Sequence, residues 1–501
     1  MNIQTADVIL PVPMSFNSQT TSMSQKQKRF VNNYLFPTSS TAVTDSTQTG
    51  ANVSRVQRFL LPSNYFLDVK QTYLSAVAQL TKTQAVDTAY FVSNTDCWIS
   101  RVTVLLNNGV IVGEIRDANI LGAILKLNYD SPYTDSLGKS AHAMWNSGER
   151  HITPAQQQSI STRPYRYNFT LDMAPLMSSD AFNYLPLRAL AGQNSNSLQL
   201  EIEWAPIRQM TVFHGATGYG NAPAGQLSYN ISSVYLCQDF LQDDDYEMSL
   251  SEQIKSNPII YNYRNMRHYN NTIPAGTSQF TVNISEFQSS MECLFVVFRN
   301  QAFTSDVAQD VTAFMNPNLL QAQLQIGGNM YIPSQPMVTG RTIVDGGFTV
   351  YQPQLAEVHS ERMKVIQKYG KYGRGMNPSK FDDTTVNANV YTLDSRDYND
   401  LVLAFDLRTF PDDADGDAEY NQFSSGLNTK SNPQQIQLLL TMAPTATSLA
   451  GTNGHAFQKT NGGTNLVITP NPLTTITFSV DTYVFYRSNI VIQQNESYVI
   501  S

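Results

Sequence analysis

Two stretches half a chain apart end in the same way. Residues 198–206 read LQLEIEWAP and residues 436–444 read IQLLLTMAP. Each alternates apolar with polar or bulky side chains, the period of a strand with one buried face. Each then stops at Ala-Pro. Proline has no N–H to give a sheet ladder, so Pro206 and Pro444 mark strand ends. An Asn-rich turn precedes each strand, and a Gly/Thr/Asn-rich loop follows it. A long closing strand comes next, ISSVYLC in the first half and SVDTYVFY in the second, which aligns Tyr235 with Tyr483. A repeated order of elements carries more weight than a repeated pair of letters. With 501 residues, the chain also exceeds the size at which a single core stops growing. These features predict a duplicated β-sandwich.

The rest of the chain fits short strands separated by turn clusters. Residues 1–55 are polar and read as an N-terminal arm. The first sandwich is expected over 56–241, with an Asn107-Asn108-Gly109 hairpin between two β-rich runs. A helical turn is expected to open at Thr153-Pro154. The acidic stretch 242–258, ending in Asn-Pro, reads as a linker, 259–492 as the second sandwich and 493–501 as a tail.

Hydrophobic residues make up 41% of the chain and charged residues only 14%, a composition too apolar for disorder. A net charge of −8 leaves no bulk electrostatic footprint for nucleic acid. Cys97, Cys237 and Cys293 are too few for a disulfide framework and sit among strand-like neighbours, so they read as buried thiols made in a reducing compartment. The N-terminus lacks the basic and apolar regions of a signal peptide, and no apolar run approaches the length of a transmembrane helix.

Several stretches resemble a known family. YLPLRALAGQNSNSLQLEIEWAP (184–206) resembles the major capsid proteins of double jelly-roll DNA viruses: virophages, Polinton-like viruses, large eukaryotic DNA viruses and, more distantly, the adenovirus hexon. CWISRVTVLLNNGVIVGEIRDANILGAILKLNY (97–129) is similar to the early hairpin of that family's first roll. DLVLAFDLRTF with FSSGLNTKSNPQQIQLLLTM resembles its second-roll pattern, and DTYVFYRSNIVI resembles its closing strand. The likeness implies an all-β fold of two tandem eight-stranded jelly rolls with long loops and a few short helices. It also implies a homotrimer whose six rolls form a pseudo-hexagonal capsomer of an icosahedral virion. Partners would be neighbouring capsomers, penton and minor capsid proteins. Assembly would take place inside the host cell, without secretion.

Motifs for chemistry are weak by comparison. Gly138-Lys139-Ser140 ends like a phosphate loop, but Tyr133 stands where the first glycine is required. Asp413, Asp415 and Asp417 suggest a calcium loop, yet the sixth and twelfth positions are Ala418 and Ser424 rather than Gly and Glu, so a solvated loop is the stronger reading. The stretch 361–375 interleaves Lys364, Lys368, Lys371 and Arg374 with Tyr369 and Tyr372, as a nucleic-acid surface can. The helical spacing of Leu355, Val358, Arg362, Ile366 and Tyr369 explains the same letters as an amphipathic helix. His268 reads as a surface or interface residue. Lys26, Lys28 and Arg29 could touch an inner membrane, a minor protein or packaged DNA, or tie capsomers together; a solvated tail fits equally well. No catalytic set and no cofactor is expected.

The reading is therefore a structural, non-enzymatic capsid protein, with trimer contacts expected in segments 130–163 and 411–430. The rivals are a tandem jelly-roll glycan-processing hydrolase, for which Asp243, Asp244, Asp245 and Glu247 are the densest carboxylates, and a lectin-like adhesin.

Overall fold

The computed structural model describes residues 29–500 apart from 47–53, 84–87, 128–153, 178–184, 192–197, 302–313, 368–383, 394–400, 409–425, 431–434, 449–455 and shorter loop positions. Sixteen strands make its framework. The first eight are β1 (Arg29–Leu35), β2 (Val56–Leu60), β3 (Phe66–Lys82), β4 (Ile99–Leu105), β5 (Ile111–Arg116), β6 (Tyr165–Phe169), β7 (Gln199–Trp204) and β8 (Leu227–Gln242). The second eight are β9 (Ile259–Ile273), β10 (Gln279–Ile284), β11 (Met291–Asn300), β12 (Leu319–Ile326), β13 (Asn329–Met330), β14 (Val402–Asp406), β15 (Ile436–Met442) and β16 (Phe478–Ile492).

The first eight form two antiparallel sheets in the orders β1-β8-β3-β6 and β2-β7-β4-β5. The second eight repeat the pattern as β9-β16-β11-β14 and β10-β15-β12-β13. Numbered within its own roll, each half runs 1-8-3-6 over 2-7-4-5. First and last strands are neighbours in both, so each sandwich closes only when its final strand returns beside its first.

The shared Ala-Pro now has a physical reason. In each roll the seventh strand lies between the second and the fourth. At its end, the N–H of Trp204 donates to the carbonyl of Arg55, just before β2, and that of Ala205 donates to Trp98, just before β4. Met442 and Ala443 repeat this with Ser278, just before β10, and Asn318, just before β12. Two successive donors tie off both neighbours, and the proline that follows has no N–H left to satisfy. The alternation works as expected: Leu200, Ile202 and Trp204 point inward, fully buried, while Glu201 and Glu203 pair outward with Arg58 (2.7 Å) and Arg101 (3.0 Å).

The hairpin forms between β4 and β5, with Gly109 at φ +80°, a conformation that glycine adopts without cost. A helix begins at Pro154 as expected. Three expectations are corrected. Residues 29–35 and 43–46, assigned to an arm, both pair with β8 and belong to the first sheet. The linker is a helix, α2 (Asp244–Ser256), which follows α1 (Ala118–Leu127) in chain order and has Leu250 buried against the core. The tail 493–501 contains a strand, Ser497–Ile500, that pairs with β16. The basic stretch opens as helix α3 (Ala356–Gln367), with Val358 and Arg362 buried, in line with the amphipathic reading.

The joint between the two rolls as the candidate functional site

The two sheets of the second roll enclose a core that includes Met291, Leu294, Val296, Leu403, Val480 and Val484. The residues between these, Cys293, Phe295, Val297, Ala404, Tyr483 and Phe485, belong to the core of the first roll. The sheet β9-β16-β11-β14 is thus a wall shared by two cores. This explains why CLFVVF, LVLAF and YVFY read as unbroken apolar runs rather than alternating ones, since a sheet covered on both sides needs apolar residues on both.

Strand β5, the turn at Asp117 and helix α1 face that wall. The Tyr263 hydroxyl and the Asn265 amide both donate to the carbonyl of Val112 (2.8 and 3.0 Å). The Tyr483 hydroxyl donates to the carbonyl of Asp117 (2.7 Å). Packing is close: a Cβ added to Gly113 would lie 2.6 Å from Asn265 Oδ1 and from Pro175.

Buried charge borders the apolar contact. Asp481 accepts from Arg299 Nε (2.7 Å) and from the Asn270 amide (2.7 Å), and it lies 2.9 Å from His268 Nε2. Burial alone would push the Asp481 carboxyl up; the Arg299 charge and the His268 and Arg299 hydrogen bonds outweigh it and hold the group well below the usual range. Glu292 sits between Arg264 (3.0 Å) and Arg487 (2.6 Å), and there too burial is overcome by arginine charge, which depresses the carboxyl. Burial drives the Tyr483 hydroxyl well above its ordinary value, so it stays protonated and remains a donor.

His268 is an interface residue. Its ring stacks on Tyr483 (4.7 Å, 21°), and its two nitrogens face Asp481 of the second roll and Asp117 of the first, the latter at 3.4 Å. Asp117, His268 and Asp481 lie close enough together to raise the question of a metal. The imidazole lies between the carboxylates, one nitrogen toward each, and a single cation can bond only one of those nitrogens. The arrangement is a bridge rather than a cage.

The other sequence candidates fall elsewhere. Lys26, Lys28, Asp413, Asp415 and Asp417 lie outside the described residues, as do Lys368, Lys371 and Arg374. Arg29 opens β1, opposite Gln242. Of the acidic stretch, Glu247 pairs with Arg188 (2.8 Å) beside a cavity of about 320 Å³ that Tyr65, Phe66, Leu250 and Ile254 help to line. The described parts of segments 130–163 and 411–430 are tied to their own rolls. Gln158 and Ser161 accept from Ala89 and Phe91, and Leu427 exchanges backbone hydrogen bonds with Met291. The joint itself was missed. Its charged members are far apart in sequence, and only the unbroken apolar runs hinted at a doubly covered sheet.

No protein-family model matches the chain, and no curated protein matches its sequence. Solved structures do match, over nearly its whole length. The PBCV-1 virus capsid superimposes with a TM-score of 0.55 at 11% identity, covering 95% of this chain and 98% of that one. A chain of the Sputnik virophage gives 0.53 at 12% identity, covering 95% and 88%. The fold is a double jelly roll. The two capsid structures and this double jelly roll share it at an identity too low for residue-by-residue comparison. The likeness is therefore one of fold, over nearly the whole length of the chain.

Proposed function

We propose that this double jelly roll is the major capsid protein of an icosahedral DNA virus. The observation that carries the reading is the duplicated strand order, which aligns with the PBCV-1 capsid across 95% of the chain. Its role is structural rather than catalytic: the buried carboxylates Asp481 and Glu292 are held in ion pairs that border the joint.

Three copies associate so that six rolls form one capsomer of pseudo-hexagonal outline. Duplication suits this, because a threefold trimer of two-roll chains can occupy a sixfold site in a shell. The shared wall supports it mechanically, since two rolls joined through a common sheet hold a set angle. In the virion the capsomers meet one another, the penton protein and minor capsid proteins, and the basic residues Lys26, Lys28 and Arg29 supply charge for a contact with a neighbour, a membrane or the genome. The chain assembles inside the host cell. Negative-stain electron microscopy of the purified protein tests the proposal: hexagonal particles with threefold symmetry are expected, and two-lobed monomers at high concentration would overturn it.

A further inference from the structure

The two rolls share one strand order, yet their corresponding sheets are covered differently. In the second roll the outward face of β9-β16-β11-β14 is buried against β5, Asp117 and α1 of the first. In the first roll the corresponding sheet is β1-β8-β3-β6. Its inward face holds Leu74, Ala76, Leu236 and Phe240, and its outward face carries Tyr34, Tyr235 and Arg166, with Phe36 just beyond β1. Tyr34 is 54% exposed and Phe36 60%. Both rings pack edge-on against Tyr235, at 5.0 and 6.3 Å, and the Arg166 guanidinium lies 4.9 Å over the Tyr235 ring. Tyr235 and Tyr483 hold the same topological place, on the last strand of their rolls. One is buried under a neighbouring roll, and the other stands in an exposed aromatic cluster.

We infer that this cluster is the docking face for a second copy of the chain, and that the copy presents its second roll. The inference rests on the capsid reading above. Within the chain, the wall of roll two sits on the segment that follows the fifth strand of roll one. Repeating that relation carries the wall of roll one to the second roll of the next copy. Such a contact is heterologous, joining two different patches, and it propagates head to tail until three chains and six rolls close a ring. Composition agrees with a face that is wet before assembly and dry after it. The intramolecular wall is Cys, Phe, Val and Ala, as in a core, whereas the first-roll face is Tyr, Phe and Arg, the residues enriched where partners bury binding energy. Tyr34 and Phe36 leave apolar ring surface exposed beside Tyr235, surface that a docked partner would cover.

The test measures solution mass by light scattering for the wild type, for the triple variant Tyr34→Ser/Phe36→Ser/Tyr235→Ser, for Arg166→Glu and for the control Phe287→Ser. Phe287 is 50% exposed and lies in the second roll. The expected result is a trimer for wild type and control and a monomer for the triple variant, with an unchanged circular dichroism spectrum. Arg166→Glu, which keeps the aromatic area but reverses the charge, is expected to raise the trimer dissociation constant at least tenfold. Trimers that persist in both variants would overturn this face while leaving the capsid reading standing. A monomeric wild type would instead overturn the capsid reading on which the face rests.

Discussion

The hydroxyl of Tyr483, on the last strand of the second roll, donates to the backbone carbonyl of Asp117 in the first, 2.7 Å away across 366 positions of sequence. The Tyr483 ring is fully buried, so this bond fastens the joint from inside. Tyr483→Phe keeps the ring and deletes only the donor. It is expected to lower stability by about 1 kcal/mol, the usual net worth of one internal hydrogen bond. Urea unfolding with an unchanged m-value would check it.

Gly113 tests the same joint by filling it. A methyl at this position meets Asn265 and Pro175 at 2.6 Å, closer than carbon atoms approach. Gly113→Ala is expected to cost about 1–3 kcal/mol through overpacking. Gly109→Ala serves as a comparison from open space, where nothing lies within 4 Å and only the positive φ is strained. Thermal denaturation of the two variants separates crowding from backbone strain.

The pH dependence has a definite sign. Asp481 and Glu292 are depressed in the folded protein, so the unfolded chain takes up protons first as the solution is acidified. Their contribution is present in full above the unfolded carboxylate values, about 3.9 and 4.3. It is lost as pH falls below about 4 toward their folded values. Arg299→Met leaves Asp481 buried beside His268 without its main counter-charge. It is expected to cost about 3–5 kcal/mol near neutrality, as breaking a buried pair does. It should also move the onset of acid unfolding to higher pH, which fluorescence along an acid titration would report.

All three cysteines are buried and outside any disulfide. Cys97, Cys237 and Cys293 are expected to stay silent toward a thiol reagent in the native protein and to react together once it unfolds in denaturant. A fast native-state reaction at any of them would contradict the burial described.

Much of this architecture was legible because it is local. The period-two strands, the Asn-Gly hairpin and the paired Ala-Pro endings each lie within a few residues, and their repeated order identified the duplication. Strand β1 was not legible. In RFVNNYL the apolar residues Phe30, Val31, Tyr34 and Leu35 come in adjacent pairs rather than alternating, and its partner on the sheet, Leu236–Gln242, lies some two hundred positions downstream. It became part of an arm for want of a local signal. The helix α2 was hidden by its acidic, polar surface, because Leu250 and Ile254 are thin signals for a docked face. The joint was the hardest to foresee. Asp117, His268, Arg299 and Asp481 come from four separate segments: three meet on neighbouring strands of the second roll, and Asp117 joins them only when the first roll docks. The resemblance to capsid proteins located the rolls but not the buried charges at their joint.

The shared wall also sets a schedule for making the molecule. The first roll can close once β8 has been synthesised through Gln242, but the central strand of the wall, β16, is completed only at Ile492. At about 5–20 residues per second, that interval is on the order of ten to fifty seconds. Throughout it, β5 and α1 wait with the apolar surface that the wall will cover. A nascent chain on a crowded polysome therefore carries, for that time, a bare face shaped for a second roll, and a neighbouring nascent chain is the nearest thing that could offer one.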